Sequence, residues 1–216
     1  MALARALALA VAASTAAGAE VMLEAFGGGG QHMWRQMNDP VMGGKSTGSF
    51  HVENGVGVFD GEVVDVPFLK APGFIKVATE DAKAFRRAFP DISHCKAISI
   101  NSKSANAYAG FFFSFGTAHP AEGKFFASGY KSTFQPSKGK FTDVEIPFSS
   151  FTDYWDDATG QPIKTCSENP KYCPTAKALE DIRTMSVWAE GTAGRVHLEI
   201  SSVKAVGCSS EEAVHV

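Results

Sequence analysis

The residues best suited to chemistry lie in one stretch, TDYWDDATGQ at residues 152–161, where Asp153, Asp156 and Asp157 surround Tyr154 and Trp155. Hard carboxylate oxygens suit a calcium ion, and flat aromatic rings suit the C–H face of a sugar. Two of these acids would also serve a glycosidase if they stood about 5 to 9 Å apart, a separation that no sequence displays. A plainer role competes with all three: a solvated loop with Trp155 turned inward. The stretch is thus a candidate ligand loop, with Asp153 or Asp157 as the acids an enzyme would use.

Other reactive patterns are missing. The six histidines, His32, His51, His94, His119, His197 and His215, form neither H-x-H nor H-x-x-x-H, so any shared metal would have to be assembled by folding. There is no G-x-S-x-G elbow, and no G-x-G-x-x-G follows a strand. The run Gly27 to Gly30 opens no helix and reads as a linker rather than a phosphate cradle. No catalytic residue, metal or cofactor is assigned. The formal net charge is -3 and the longest basic run is Arg86-Arg87, which excludes the electrostatic footprint of a nucleic-acid binder.

The first 19 residues carry one arginine, no acid, an apolar run from Ala6 to Ala13 and a small-residue end. This pattern predicts a secretory signal peptide over residues 1–19; the apolar run falls short of the roughly 20 residues that a membrane span needs. A mitochondrial presequence would carry several arginines, and Arg5 stands alone. Residues 20–33, which include FGGGGQ, are expected to be a flexible segment, because four glycines are costly to order. One domain over residues 34–208 and a tail at 209–216 follow.

Cys95, Cys166, Cys173 and Cys208 make an even set in a chain expected to enter an oxidising compartment, so two disulfides are the default. Of the three pairings, Cys166 with Cys173 inside CSENPKYC is preferred, with Cys95 to Cys208 tying the last strand to an earlier one. Zinc would want C-x-x-C pairs or histidine partners, and neither is present.

The elements that must position these residues read as strands: SFHV, VGVFDGEVV, KAISI, GFFFSFG, KFFASGYK, DVEIPF, MSVWAE and RVHLEI. Asn54-Gly55 between two of them predicts a type I′ hairpin. In RVHLEISSVKAV the apolar phase slips after Ser201-Ser202, which predicts a bulge. GFFFSFG places Phe111, Phe113 and Phe115 on one face and Phe112 on the other, a central strand covered on both sides. Helical spacing is confined to Thr175–Met185 and, more weakly, DAKAFRRAF. Many short strands with one or two short helices predict an all-β sandwich or jelly roll.

A second candidate is WRQMNDPVMGGKSTGSF at residues 34–50. Asn38-Asp39-Pro40 should turn the chain, since Asx side chains cap their own backbone and proline fixes φ. Gly43-Gly44 permits positive φ or close approach, and Trp34, Met37 and Met42 are expected to wedge beneath the turn. Asp39, Lys45 and Ser46 would form any binding edge.

The chain resembles the complex I intermediate-associated protein 30 family, whose members carry a galactose-binding-like jelly-roll domain. The resemblance rests on Trp34, Asp39, Met42-Gly43-Gly44 and Ser46; on Phe59-Asp60-Gly61 and Gly73-Phe74; on Ile146-Pro147-Phe148 with Phe151; and on the terminal pair IRTMSVWAEGTAGRVHLEISSVKA. It spans roughly residues 34 to 206. It departs where the family often has Gly-Gly-Phe, here Pro72-Gly73-Phe74, and an arginine, here Lys76 or Thr79. The residues themselves suggest a monomeric, non-catalytic binding module of the secretory pathway with a protein or glycan ligand. The resemblance implies an alternative, a mitochondrial assembly factor for respiratory complex I. A carbohydrate-active enzyme and a complex-plastid address are further alternatives.

Overall fold

The computed structural model describes residues 18–28, 32–80, 88–116 and 129–209. Two sheets pack face to face as a jelly-roll β-sandwich. The larger contains β1 (Ala19–Ala25), β3 (Thr47–Glu53), β4 (Val56–Val63), β8 (Ala97–Ser104), β11 (Ser137–Lys138), β12 (Thr142–Pro147) and β14 (Gly194–Cys208). The smaller runs in the order β10 (Tyr130–Thr133), β9 (Phe111–Gly116), β13 (Thr184–Glu190), β7 (Phe74–Thr79) and β2 (Trp34–Asn38). A short hairpin of β5 (Asp65–Val66) and β6 (Ala71–Pro72) projects between β4 and β7.

Strand β9 follows from its phenylalanines. Phe111, Phe113 and Phe115 enter the core between the sheets, while Phe112 joins Phe74 and Trp188 in a second cluster on the outer face. Asn54 and Gly55 take φ of 50° and 78° and close the β3–β4 hairpin, as positive φ at both turn positions requires. The slip at Ser201-Ser202 is a register shift between β14 and β8. It falls where β14 changes neighbours: Gly194–Ile200 pairs with β4, and Ser202–Cys208 with β1.

That exchange corrects the reading of residues 20–33. The segment begins in β1, which covers the edge of β14 that β4 leaves, and continues into a single 3-10 turn at Phe26–Gly28. Unpaired strand edges and apolar Leu23 and Phe26, both buried, outweigh the entropy cost of ordering Gly27 and Gly28. Phe26 packs on Trp34 and Phe50 with ring centroids 5.7 and 5.9 Å away. Glu24, fully buried, accepts hydrogen bonds through Oε2 from the His32 backbone N–H and Trp34 Nε1, and pairs with His32 Nδ1 at 3.0 Å. Gly29, Gly30 and Gln31, the predicted signal peptide up to residue 17 and the tail beyond Ser209 lie outside the described residues.

Helix α1 covers just Ala176–Glu180, capped by the Thr175 hydroxyl, which accepts from the Ala178 N–H. Helical spacing continues to Met185, but Thr184–Glu190 gains a pairing partner on both edges, β7 and β9, and strand wins. Residues 81–87 of DAKAFRRAF and 124–128 of KFFASGYK lie outside the described residues.

The cysteines pair as Cys95–Cys208, tying the segment before β8 to the end of β14, and as Cys166–Cys173. By chain entropy, the wider loop should stabilise by about 5 kcal/mol and the narrow one by about 2.5. We expect Cys95→Ala/Cys208→Ala to lower unfolding free energy in urea by roughly twice as much as Cys166→Ala/Cys173→Ala; equal losses would contradict this.

Candidate functional site

The outer face of the smaller sheet holds the unusual chemistry. Strand alternation sends Phe112 and Ser114, Trp188 and Glu190, Phe74 and Lys76, and Lys131 and Thr133 to this side. Such a face is normally wet, yet Lys76, Lys131 and Glu190 are all buried, because the segment after Phe151 folds back across the sheet. Lys131 Nζ donates to Glu190 Oε1 at 2.6 Å. The same ammonium lies 3.5 Å from the ring centroid of Trp155 and 3.8 Å from that of Trp188, while Lys76 Nζ sits 4.4 Å from Trp188. A desolvated ammonium between indole faces gains cation–π attraction in addition to its ion pair.

Burial pushes the Glu190 carboxyl up and the Lys131 ammonium down, each against the attraction of the other. Lys76 falls to about 8, driven first by burial and then by Lys131, with Glu190 opposing.

The acidic loop is the lid over this pair, and its own bonds fix it. Thr152 and Lys131 exchange backbone hydrogen bonds of 2.8 and 3.1 Å. The Thr152 hydroxyl donates to the Lys164 carbonyl and accepts from the Tyr154 N–H. Asp156 Oδ1 accepts from the N–H groups of Ala158 and Thr159 and from the Thr159 hydroxyl, so this oxygen caps the loop's own turn. Gly160 rests on the Glu190 side chain so closely that a methyl group there would collide with it. Tyr154, partly exposed, stacks on Tyr172 at 4.9 Å, and Trp155 turns inward. Asp153, Asp156 and Asp157 do not converge. Among the described residues the one metal-sized grouping is His94, Cys95 and Cys208, and both of those cysteines are in a disulfide.

The tryptophan-to-serine signature forms a second fixed element beside the loop. Asp39, 6% exposed, accepts from the Val41 N–H, and Gly44 N–H closes the turn on the Val41 carbonyl, each at 2.8 Å. Met42 and Gly43 occupy its left-handed positions with φ of 46° and 80°. A methyl on either Gly44 or Gly73 would strike the Asp39 carboxylate. Ser46 Oγ accepts from the Val64 N–H, and Asn38 Oδ1 accepts from the Gly48 N–H. One expectation is corrected: Met42 does not wedge beneath the turn but is 61% exposed, because its left-handed backbone points it to solvent. Lys45 is exposed as well. Trp34 packs on the core against Phe26 and Phe50 rather than beneath the turn, and Met37 packs on the Phe74–Trp188 cluster of the outer face.

Among the described residues, a cleft lies on either side of the loop on the outer face. On the β7 side, a cleft of about 150 Å³ brings the two sequence candidates together, with Asp39, Val41 and Met42 facing Asp157, Leu69 and Phe74. On the β10 side, a cleft of about 290 Å³ is lined by Lys131, Thr133, Ser149, Ser150, Thr165 and Ser167. Sequence reasoning missed this second cleft. Its hydroxyls come from three separate segments and share no motif; a block noted for its apolar residues, IPFSSF, supplied two of them.

On the larger sheet, His197 Nδ1 meets Asp60 Oδ1 at 2.6 Å and Nε2 meets Glu199 Oε1 at 3.2 Å. Burial alone would lower the His197 pKa, but these hydrogen bonds outweigh it and hold the value above 6.5.

Three outcomes follow. Lys131→Met leaves Glu190 buried without its cation and should cost about 3–5 kcal/mol in urea unfolding; Lys131→Met with Glu190→Gln should recover part of that loss. Gly44→Ala should cost about 1–3 kcal/mol or more by the same assay, since the added methyl would overlap the Asp39 carboxylate that caps the turn. His197, with its folded pKa raised, stabilises fully below pH 6.5 and loses that contribution as pH rises through the folded value. Stability should therefore fall across this window in the native protein and fall less in His197→Gln.

Comparison with known proteins agrees with this architecture. A search of curated proteins finds no match. The fold is similar to a family 11 carbohydrate-binding module from Clostridium thermocellum, solved in complex with a beta-1,3-1,4-mixed-linked tetrasaccharide, at 19% identity and TM-score 0.53 over 90% of this chain and 98% of that one. The family 11 module of the cellulosomal cellulase Lic26A-Cel5E of Clostridium thermocellum is similar at 20% identity and TM-score 0.54, over 89% of this chain and 97% of that one. Both likenesses bear on the fold, a galactose-binding-like jelly roll. Residues 26–168, which hold the signature turn, the central aromatic strand and the acidic loop, match the sequence model of complex I intermediate-associated protein 30, and the chain belongs to that family.

Proposed function

We propose that this protein is a non-catalytic binding module of the secretory pathway whose ligand, a protein segment or a glycan, seats on the outer face of the smaller sheet. One observation carries the reading: a rigid loop, pinned over a buried ion pair, leaves a preformed cleft on either side. Preformed concavities are what binding sites look like, and rigidity lowers the entropy cost of binding. The leader-like first 19 residues and the two disulfides support an oxidising, secretory route. Among the described residues no helix is long and apolar enough to cross a membrane. The carbohydrate-binding modules of similar fold lend weight to a glycan.

A second reading is favoured by the family description and by one surface. Met42, Phe68 and Leu69 are 61%, 79% and 37% exposed, and Met42 and Leu69 share the β7-side cleft. Exposed, adaptable apolar side chains suit a protein partner, as an assembly factor for complex I would need. An enzyme using Asp153 or Asp157 is the weakest reading, because the two acids do not meet in either cleft.

The address separates the first two readings. Full-length protein expressed in a eukaryotic cell with a C-terminal tag should yield, by mass spectrometry, a mature N-terminus at or near Glu20 and two intact disulfides. A mitochondrial cut with four free thiols would overturn the secretory reading and favour complex I assembly.

A further inference from the structure

We propose that the cleft on the β10 side of the acidic loop is a subsite for one ring of a neutral, polyhydroxylated sugar chain. This rests on the binding-module reading and narrows its ligand. The cleft's volume, about 290 Å³, sits at the lower edge of the small-ligand range of about 300–1,000 Å³. Its walls are hydroxyl-rich. Thr133 projects from the outer face of β10, opposite Phe112 in register. Ser149 and Ser150 come from the 3-10 turn Phe148–Ser150, and Thr165 and Ser167 come from the segment that follows the lid and holds Cys166.

Thr133, Ser149 and Ser150 are exposed, and their hydroxyls make no hydrogen bond to another described residue. A hydroxyl both donates and accepts, so a set of them matches ring hydroxyls, which do the same, without demanding a charge. The walls are also held in place. Ser167 and Thr165 share a 2.9 Å hydrogen bond next to the Cys166–Cys173 disulfide, and β10 is bonded to the lid through Lys131 and Thr152.

Charge decides between a neutral and an anionic sugar. Lys131 at the cleft's base is committed to Glu190 at 2.6 Å, so among the described residues that line the cleft a sulfate or uronate finds no uncompensated cation. No carboxylate lines this cleft among the described residues, so a cation bridging to an acidic sugar has no ligand either. The β7-side cleft differs, since Asp39 and Asp157 line it. The apolar ring of Pro162 adds a surface for a sugar's C–H face.

The test is a titration of isotope-labelled full-length protein with neutral gluco-, galacto- and manno-oligosaccharides, and with sulfated and uronate-bearing chains of equal length. Amide shifts at Thr133, Ser149 and Ser150 are the readout. At least one neutral chain should shift these amides saturably. Ser149→Ala/Ser150→Ala should weaken that binding about tenfold or more with the thermal midpoint unchanged. Tighter binding of an anionic chain at the same amides would overturn the neutral class. Sugar shifts confined to Met42, Leu69 and Asp157 would overturn this subsite while leaving the binding module standing. No shift from any sugar would overturn the proposal and leave the module reading to a protein partner.

Discussion

The buried pair of Lys131 and Glu190 is the interaction on which the outer face depends. Neither residue belongs there by strand alternation alone, since an outward-facing lysine and glutamate would ordinarily be solvated. They are dry because Trp155, Trp188 and the backbone at Gly160 close over them. The arrangement is reciprocal. The lid needs the charges neutralised beneath it, and the pair needs the lid's aromatic faces and its hydrogen bond to offset a desolvation cost of several kcal/mol per ion. A buried ion pair is poor evidence for stability; here its use is positional, fixing where the loop crosses the sheet and hence where both clefts lie.

The signature turn works by the same logic on the other side of the face. Asp39 is buried under backbone that only glycine permits, at Gly44 and Gly73, and its carboxylate caps the turn that presents Met42. The family signature is therefore mostly architecture that aims one exposed side chain. It lies within a cleft's width of Asp157, so two sequence stretches that are remote in the chain act on a shared surface. Between the sheets, the phenylalanines of β9 provide the floor, and the β1 and β14 pairing with the Cys95–Cys208 bond ties the larger sheet together behind it.

Much of this was legible in the residues. Alternating phenylalanines at 111–115, the Asn54-Gly55 turn and the phase slip at Ser201-Ser202 are local patterns, and each was formed as its local chemistry dictates. What escaped was non-local. The strand before Phe26 went unread because nothing near it in sequence reveals that β14 outruns β4. Lys131 and Glu190 are 59 residues apart, with no motif linking them. The Thr175–Met185 spacing promised more helix than formed, because two-sided strand pairing overrode it. Asp156, read as part of a candidate ligand loop, also caps its own turn through Oδ1, a role that its type and spacing alone could not reveal.

The most direct test of this account is residue-resolved hydrogen exchange on the native protein and on Glu190→Gln under native conditions. If the ion pair pins the lid, the amides of Lys131, Thr152, Gly160 and Ile163 should exchange faster in the variant, while those of Phe113 and Ile100 in the core strands keep their protection. Unchanged protection across the lid would contradict the account, because the loop would then be held without the pair and the two clefts would owe their shape to something else.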